Sequence, residues 1–209
     1  MENKDNIVFK YFDGLSDEQK AQIIGMEALY RDWNSKINVI SRKDIDFLYE
    51  HHVLHSLAIA KIADFEPGMH VMDLGTGGGF PGIPLAVLFP ETNFTLCESV
   101  GKKALVAREV AKGLSLNNVT VENCRAEDLK RKFNYIVTRS VATFDDMLPW
   151  VKGKWENGII ALKGGNVFSE IDPCVRKYHL EECDIEIVNI SDWFDEDYFY
   201  EKKIVFIGR

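Results

Sequence analysis

The sequence predicts an α/β fold: a doubly wound, mostly parallel sheet of seven strands, with an antiparallel last strand and an N-terminal helical extension. Three observations predict it. From residue 70 onward, apolar strand patterns alternate with helix patterns, which is typical of a parallel sheet covered on both faces. A glycine-rich stretch, Asp73-Leu-Gly-Thr-Gly-Gly-Gly-Phe-Pro-Gly82, follows the first strand. The last two strand patterns have no clear helix between them, which predicts an antiparallel hairpin.

Length and composition indicate either one large domain or one domain with a small extension. The chain has 209 residues, 46% of them hydrophobic and 28% charged, as in ordinary globular proteins. We divide it into a helical extension at 1–66, packed on the core, and an α/β domain at 67–209. The first twelve residues lack the pattern of a secretory signal, and no apolar run approaches the ~20 residues that span a bilayer. We therefore expect a cytoplasmic protein that does not enter the membrane.

The cysteines and the charges agree with a cytoplasmic protein. The four cysteines show no C-x-x-C spacing, so we expect reduced thiols. The net charge of −8 is uneven: 31–163 holds 17 Lys/Arg and 16 Asp/Glu, whereas 181–201 holds nine acidic residues and no basic one. The body of the protein can therefore carry a basic face, which permits an RNA partner without indicating one.

The N-terminal extension has two helix patterns. At 15–33, apolar residues recur at helical spacing, and Ser16 and Gln19 have the spacing of a capping box. Asp44 is a candidate cap for a short helix, and 50–63 predicts a second amphipathic helix.

Strand and helix patterns then alternate along the rest of the chain. We predict strands at 70–74, 94–99, 119–124, 133–139, 158–163, 184–190 and 203–207. We predict helices at 81–89, 101–114, 144–152 and 168–180. Open α/β sheets bind ligands beyond the carboxyl ends of their strands, so the residues at those ends are the candidate site.

The glycine-rich turn predicts a nucleoside-type ligand, because glycine permits positive φ and lets a ligand lie against bare main chain. A dinucleotide fits a G-x-G-x-x-G spacing followed by acidic Glu98 about 20 residues later. S-adenosylmethionine fits an acidic residue, Asp73, followed by alternate glycines. Asp73 would repel a pyrophosphate but not an amino acid's ammonium group, so the sequence favours S-adenosylmethionine. The candidate glycines are Gly75, Gly77 and Gly79.

Other strand ends supply further candidate ligand groups. Glu98 can accept hydrogen bonds from ribose hydroxyls. After the third strand, Ala126 leaves room for an adenine ring, and Glu127 can contact the edge of that ring. Arg139 ends the fourth strand, where it can face a phosphate or a guanine edge, and Lys163 ends the fifth on the same rim.

A metal site is not expected. His51 and His55 lie one helical turn apart, but His52 stands where the H-E-x-x-H signature needs its glutamate. No third ligand is placed nearby by the sequence.

Missing motifs narrow the reaction. Methyltransferases that act on amino groups of nucleic acids carry an Asn/Asp-Pro-Pro-aromatic stretch, and this chain has no Pro-Pro. Methylation of carbon five of a pyrimidine needs a cysteine nucleophile after the fourth strand. Pro173-Cys174 lies after the fifth strand instead. A methyl transfer to an aromatic ring nitrogen such as guanine N7 needs neither, because its lone pair attacks directly and has no proton to lose. Catalysis would then consist of positioning and electrostatics.

Most of the chain resembles the glucose-inhibited division protein B family, the bacterial 16S ribosomal RNA guanine-N7 methyltransferases also called RsmG. The matching segments are Trp33-Asn34 with Asn38, His52 to Leu57, Asp73 to Leu85, Glu98-Ser99 with Lys102, Arg125-Ala-Glu127, Thr138-Arg139-Ser140 and Lys163-Gly164. The tail Gly79-Phe-Pro-Gly-Ile-Pro84 is far more specific than the glycines alone. One departure is His52-Val-Leu-His55-Ser56, where the family usually has His-x-x-Asp-Ser, which leaves the role of His55 open.

The resemblance implies S-adenosylmethionine as cofactor and one guanosine of 16S ribosomal RNA as substrate, in free RNA or in the small ribosomal subunit. It implies that the N-terminal helices and the basic rim face the RNA. We expect a monomer in which Arg139 and Lys163 are catalytic. The matched cofactor contacts are Gly75, Phe80, Ala126, Glu127 and Arg139, with Glu98 at the ribose.

Two other functions stay open. An NAD-dependent oxidoreductase needs a general acid or base in the cleft, and the sequence places no Tyr-x-x-x-Lys at a strand end. A non-catalytic RNA-binding module could keep the same fold, but the intact Asp73, glycine turn and Glu98 argue against a disused site.

Overall fold

A seven-stranded sheet with the strand order β3-β2-β1-β4-β5-β7-β6 forms the centre of the molecule. The computed structural model describes residues 6–178 and 181–208. The strands are β1 His70–Leu74, β2 Asn93–Cys97, β3 Val119–Glu122, β4 Phe133–Arg139, β5 Trp155–Gly164, β6 Ile185–Asn189 and β7 Lys202–Gly208. β1 to β5 pair in parallel, and β7 runs antiparallel to both neighbours, β5 and β6. The predicted fold class is confirmed: β6 and β7 form an antiparallel hairpin at one edge of the sheet, with β7 inserted between β5 and β6.

Helices cover both faces of this sheet. They are α1 Ile7–Tyr11, α2 Asp17–Lys36, α3 His55–Leu57, α4 Gly82–Leu88, α5 Gly101–Gly113, α6 Phe144–Trp150 and α7 Phe168–Tyr178. α1 was not predicted, and the last two residues of the predicted helix at 168–180 lie outside the described residues. None of the helices in the described ranges has the length and apolar character that a membrane crossing requires.

The predicted capping box at the start of α2 is present. Ser16 Oγ accepts from the Gln19 main-chain N–H at 3.2 Å, and Gln19 Oε1 accepts from the Ser16 N–H at 2.9 Å. The Gln19 amide nitrogen also donates to the carbonyls of Val87 and Leu88 at 2.9 and 3.0 Å. One side chain thus starts α2 and satisfies free carbonyls at the end of α4.

The single helix predicted at 50–63 is wrong. The 45–61 helical segment consists of a 3-10 turn Ile45–Phe47, a π-helix Leu48–Leu54, the α-turn α3 and a 3-10 turn Ala58–Lys61. The expected side-chain cap by Asp44 is also wrong, because its carboxylate binds His51 and His52 instead of a free main-chain N–H.

Two hydrophobic cores lie on opposite faces of the sheet, because alternate residues of a strand point to opposite sides. Val71 belongs to the core that includes α2, the 45–61 helical segment, α4 and α5, whereas Met72 belongs to the core with α6 and α7. Tyr30 and Leu57 of the extension thus share a core with the α/β domain. The boundary at residue 66 stays a prediction.

Candidate functional site

A cavity of about 610 Å³ opens at the carboxyl ends of β1 and β4. Parallel α/β sheets bind ligands at this point, because the chain connections leave in opposite directions on the two sides of β1. Eight of the ten predicted site residues line the cavity, and Asp73 and Gly79 do not. The eight are Gly75, Gly77, Phe80, Glu98, Ala126, Glu127, Arg139 and Lys163.

The glycine turn needs its glycines for two different reasons. Gly75 has a φ of +67°, and a Cβ there would lie 2.1 Å from Cγ2 of Val141, so the loop after β4 packs against bare main chain. Gly77 has a φ of +57°, yet a Cβ on it would meet no protein atom within 4 Å. The space beside Gly77 is therefore open to the cavity and available to a ligand.

The Asp73 carboxylate stabilises the glycine turn through hydrogen bonds inside the protein. Its Oδ2 accepts from Thr76 Oγ1 at 2.5 Å and from the Gly82 N–H at 2.8 Å, and the side chain is fully buried. Burial raises its pKa to about 7. The expected position of this carboxylate beside the ligand is therefore not what the structure shows, because the turn folds back over the end of β1 and encloses it.

Glu98 connects the second strand to the glycine turn. Its Oε2 accepts from the Gly77 N–H at 2.9 Å, and its Oε1 accepts from the Val100 N–H at 2.7 Å. A carboxylate has about four lone-pair positions, so each oxygen can still accept from another donor. These main-chain contacts fix the orientation of the carboxylate in the cavity wall.

The residues just after β3 form a further part of the cavity wall, beside the glycine turn and Glu98. Ala126 starts the 3-10 turn Ala126–Asp128 and is buried, whereas Glu127 is exposed, and both residues line the cavity. The side chain of Ala126 is small, and the assignment of this wall to an adenine ring stays a prediction.

Arg139 ends β4, but its partners come from the 45–61 helical segment. Its Nη1 donates to the His51 carbonyl at 3.0 Å and its Nη2 to His52 Nδ1 at 2.9 Å. The guanidinium carbon lies 4.9 Å from the ring centre of Phe80, a cation–π contact. Burial lowers the pKa of the guanidinium, which nevertheless stays charged because an arginine pKa begins so high.

His52 continues this contact to Asp44, since its Nε2 is hydrogen-bonded to Asp44 Oδ2. Asp44 Oδ1 binds His51 Nδ1 at 2.6 Å. Burial, and then the charge of Arg139, lower the pKa of His52 to about 4, so the ring is neutral near pH 7.

Among the residues that the structure describes, no group of three or more His, Cys, Asp or Glu side chains could hold a metal ion.

Lys163 lines the cavity, but its ammonium group is already bound. Its Nζ donates to the Ala142 carbonyl at 2.7 Å and to Glu170 Oε2 at 2.8 Å, and it lies 4.7 Å from the ring centre of Phe144. The side chain thus ties the loop after β4 to α7. This arrangement favours a structural role over the predicted catalytic one.

Tyr198 is a cavity residue that sequence reasoning missed. Its hydroxyl lies 3.2 Å from both the His51 carbonyl and His55 Nδ1, and Lys202 Nζ lies 4.8 Å from its ring centre. Burial lowers the pKa of His55 well below its ordinary value, and its Nε2 has no hydrogen-bond partner. No local pattern marks Tyr198, which lies 147 residues from His51 in the sequence.

Solved structures of low sequence identity share this fold. A S-adenosylmethionine-dependent methyltransferase from Aquifex aeolicus superimposes with a TM-score of 0.57 at 15% identity, over 80% of this chain and 98% of that one. A precorrin-6y C5,15-methyltransferase from Geobacter metallireducens gives a TM-score of 0.57 at 12% identity, over 83% and 92% of the two chains.

Sequence comparisons give a much closer relation. The family model GidB, described as rRNA small subunit methyltransferase G, matches residues 19–192. The ribosomal RNA small subunit methyltransferase G of Phocaeicola vulgatus is 49% identical over 209 residues, covering 96% of this chain and 97% of the relative. The protein of the same name from Flavobacterium psychrophilum is 49% identical over 210 residues, covering 96% of both chains. Its glycine turn, its cavity and this similarity along nearly its whole length together show that the chain belongs to the GidB family.

Proposed function

We propose that this protein is a methyltransferase that uses S-adenosylmethionine to methylate N7 of one guanosine in 16S ribosomal RNA. The observation that carries the proposal is membership of the GidB family together with a ligand cavity at the switch point of the sheet. Relatives covering nearly the whole chain bear the name ribosomal RNA small subunit methyltransferase G. The choice of guanine N7 rests on the family resemblance and on the motifs that the sequence lacks.

The cavity walls fit S-adenosylmethionine. The volume of about 610 Å³ lies within the roughly 300–1,000 Å³ of small-molecule sites. The open space beside Gly77 would receive the ligand, the Glu98 oxygens have free lone pairs for ribose hydroxyls, and Ala126 offers a flat wall for the adenine. When bound, the sulfonium supplies an activated methyl group.

The remaining work of the protein is to orient the acceptor nucleotide. Arg139 has five N–H groups and uses two of them on His51 and His52, so the others can donate to a phosphate or to O6 of the guanine. Guanine N7 has a free lone pair and no proton, so the transfer requires no general base. Fixed donors in a partly closed cavity can therefore provide most of the catalysis.

The charge of the cavity supports an RNA substrate. Its lining includes five basic residues and two acidic ones, in a protein of net charge −8. The five are Lys103, Arg125, Arg139, Lys163 and Lys202. A concentration of positive charge in a cleft attracts phosphate groups even when the whole molecule is acidic.

The finer details extend the proposal. We assign the reaction to the cytoplasm, to a monomer, and to 16S ribosomal RNA either free or within the small subunit. Family membership does not favour an NAD-dependent oxidoreductase or a non-catalytic RNA-binding module.

Three measurements test the proposed function. Isothermal titration should show binding of S-adenosylmethionine and none of NAD, and the reverse result would contradict the cofactor assignment. Ribosomal RNA from cells that lack the protein should be missing one N7-methylguanosine in the small subunit. Purified protein with S-adenosylmethionine should restore that methyl group, and we expect Arg139→Ala to reduce the rate at least about 100-fold, the loss typical of removing one key donor.

A further inference from the structure

The guanidinium of Arg139 is held by groups that lie outside the sheet. Both of its hydrogen-bond acceptors, the His51 carbonyl and His52 Nδ1, belong to the π-helix of the 45–61 helical segment. The guanidinium carbon also lies over the ring of Phe80. The N-terminal extension therefore supplies the polar contacts that fix this side chain in the cavity.

The chemistry of these contacts fixes where the His52 proton lies. Arginine has only donors, so His52 Nδ1 must be an unprotonated acceptor. The proton of the neutral ring is then on Nε2, where it donates to the Asp44 carboxylate. A proton on Nδ1 would place two donors against each other and break the contact with Arg139.

Asp44 contacts both residues that supply the acceptors of Arg139. One oxygen fixes the His52 tautomer, and the other binds His51 Nδ1 at 2.6 Å. The His51 carbonyl, on the main chain of the same residue, is the second acceptor for Arg139. Two consecutive histidines thus share one carboxylate on one side and one guanidinium on the other.

We propose that Asp44 and His52 are positioning residues for the methyl-transfer reaction, acting through Arg139. This inference rests on the proposed function and on the role of Arg139 in it. Asp44 holds His52 in the Nε2–H tautomer, and His52 holds the guanidinium in the orientation that the acceptor nucleotide meets. A free arginine side chain has much rotamer freedom, and a pre-fixed guanidinium avoids the cost of ordering it at each turnover.

Nitrogen NMR of His52 tests the first half of this proposal without any turnover. In the wild-type protein at neutral pH we expect a protonated Nε2 and a bare Nδ1. In Asp44→Ala, at a half-buried position, we expect Nδ1–H to become populated. A wild-type ring that carries its proton on Nδ1 would overturn the proposal whatever the enzyme does, so this result is separate from any failure of the proposed function.

Kinetics of matched variants test the second half. His52→Leu removes the acceptor and should lower kcat about 10- to 100-fold, the usual cost of losing a group that orients a functional one. His52→Asn keeps an oxygen near the position of Nδ1 and should remain within about threefold of the wild-type kcat. His70→Leu, at an exposed position at the opposite end of β1, is the matched control and should be unchanged. Equal losses in His52→Leu and His52→Asn would contradict a positioning role.

A double-mutant cycle shows whether His52 acts through Arg139. In an Arg139→Ala background, His52→Leu should cause no further loss of kcat. A further loss as large as in the wild-type background would overturn the proposal, because His52 would then act independently. Thermal unfolding of each variant separates misfolding from mispositioning, and if His52→Leu does not fold, Asp44→Ala replaces it in the cycle.

Discussion

Gly77 and Glu98 are joined by a hydrogen bond in the protein itself, since the Gly77 N–H donates to Glu98 Oε2 at 2.9 Å. The turn and the carboxylate that we propose for the ribose are therefore held in a fixed relation, and a ligand does not have to assemble them. The space beside Gly77 is open because its Cα carries no side chain, and its φ of +57° disfavours any other residue.

We predict that Gly77→Ala weakens S-adenosylmethionine binding at least about tenfold, because the new methyl group would project into ligand space. Left-handed backbone also costs a non-glycine residue about 1–2 kcal/mol. Gly153→Ala is the matched control, because Gly153 has a φ of +72°, open space around its Cα, and a position outside the cavity. Titration calorimetry should show normal affinity for Gly153→Ala. Equal affinities in the two variants would contradict the placement of the ligand beside Gly77.

Residue types at strand ends were predictable from the sequence, but their directions were not. Asp73 follows the acidic-then-glycine pattern of a ligand contact, yet its carboxylate turns inward to Thr76 and Gly82. The sequence predicts Lys163 as a catalytic residue on the rim, but Glu170 follows seven residues later across a turn and binds its ammonium group. The local sequence determines which side chains lie at the carboxyl ends of the strands. Contacts with residues distant in the sequence determine which of these side chains can still bind a ligand.

At the scale of elements, the 45–61 helical segment departs most from its sequence pattern. Apolar residues at helical spacing predict one regular helix, but a π-helix replaces its first part. π-helices are rare and often mark functional sites. Here the wider turn contains His51 and His52, whose partner Arg139 lies 87 residues from His52 in the sequence. A contact of that range cannot be predicted from local periodicity.

His52, one of the two buried histidines of this segment, makes the free energy of unfolding depend on pH. Because the pKa of His52 falls from 6.5 to about 4 on folding, the unfolded chain binds more protons between these values. We therefore expect the free energy of unfolding to rise with pH across this window, and His52 to contribute roughly 3 kcal/mol of that rise. This contribution is complete above pH 6.5 and is lost as the pH falls toward 4.

Urea unfolding of the wild type and of His52→Asn across this window measures the contribution. The rise in the free energy of unfolding between pH 4 and 6.5 should be smaller in His52→Asn than in the wild type. His55, whose pKa is lowered, and Asp73, whose pKa is raised, affect stability in opposite directions in the same range, but both remain in the two proteins, so the difference isolates His52. If the free energies of unfolding of the two proteins changed equally with pH, folding would not lower the pKa of His52.

At the scale of the molecule, an acidic protein presents a basic cavity. Nine acidic residues lie between 181 and 201, yet Lys202 directly follows them and lines the cavity beside Tyr198. The sequence permitted this separation of charge, because the acidic residues cluster in one segment. It could not show that β7 would pair with β5 and thereby place Lys202 at the cavity.

We predict that RNA binding weakens steeply with salt and that Lys202→Gln reduces the slope of log K against log[salt] by about 0.7, the value for one phosphate contact on a single strand. Lys152→Gln is the control, since Lys152 is exposed in the turn that precedes β5, at the opposite end of the sheet. Binding of a 16S ribosomal RNA fragment at several salt concentrations measures both slopes. Equal slopes for Lys202→Gln and the wild type would remove Lys202 from the RNA surface.

The insertion of β7 between β5 and β6 has a consequence for biosynthesis. β6 pairs with no strand other than β7 in the described chain, and β7 also covers one edge of β5. A nascent chain emerging from the translating ribosome therefore leaves its sheet open until residues 202–208 have appeared. Because Lys202 of β7 also lines the cavity, we expect the cavity wall to be complete only once these residues have joined the sheet.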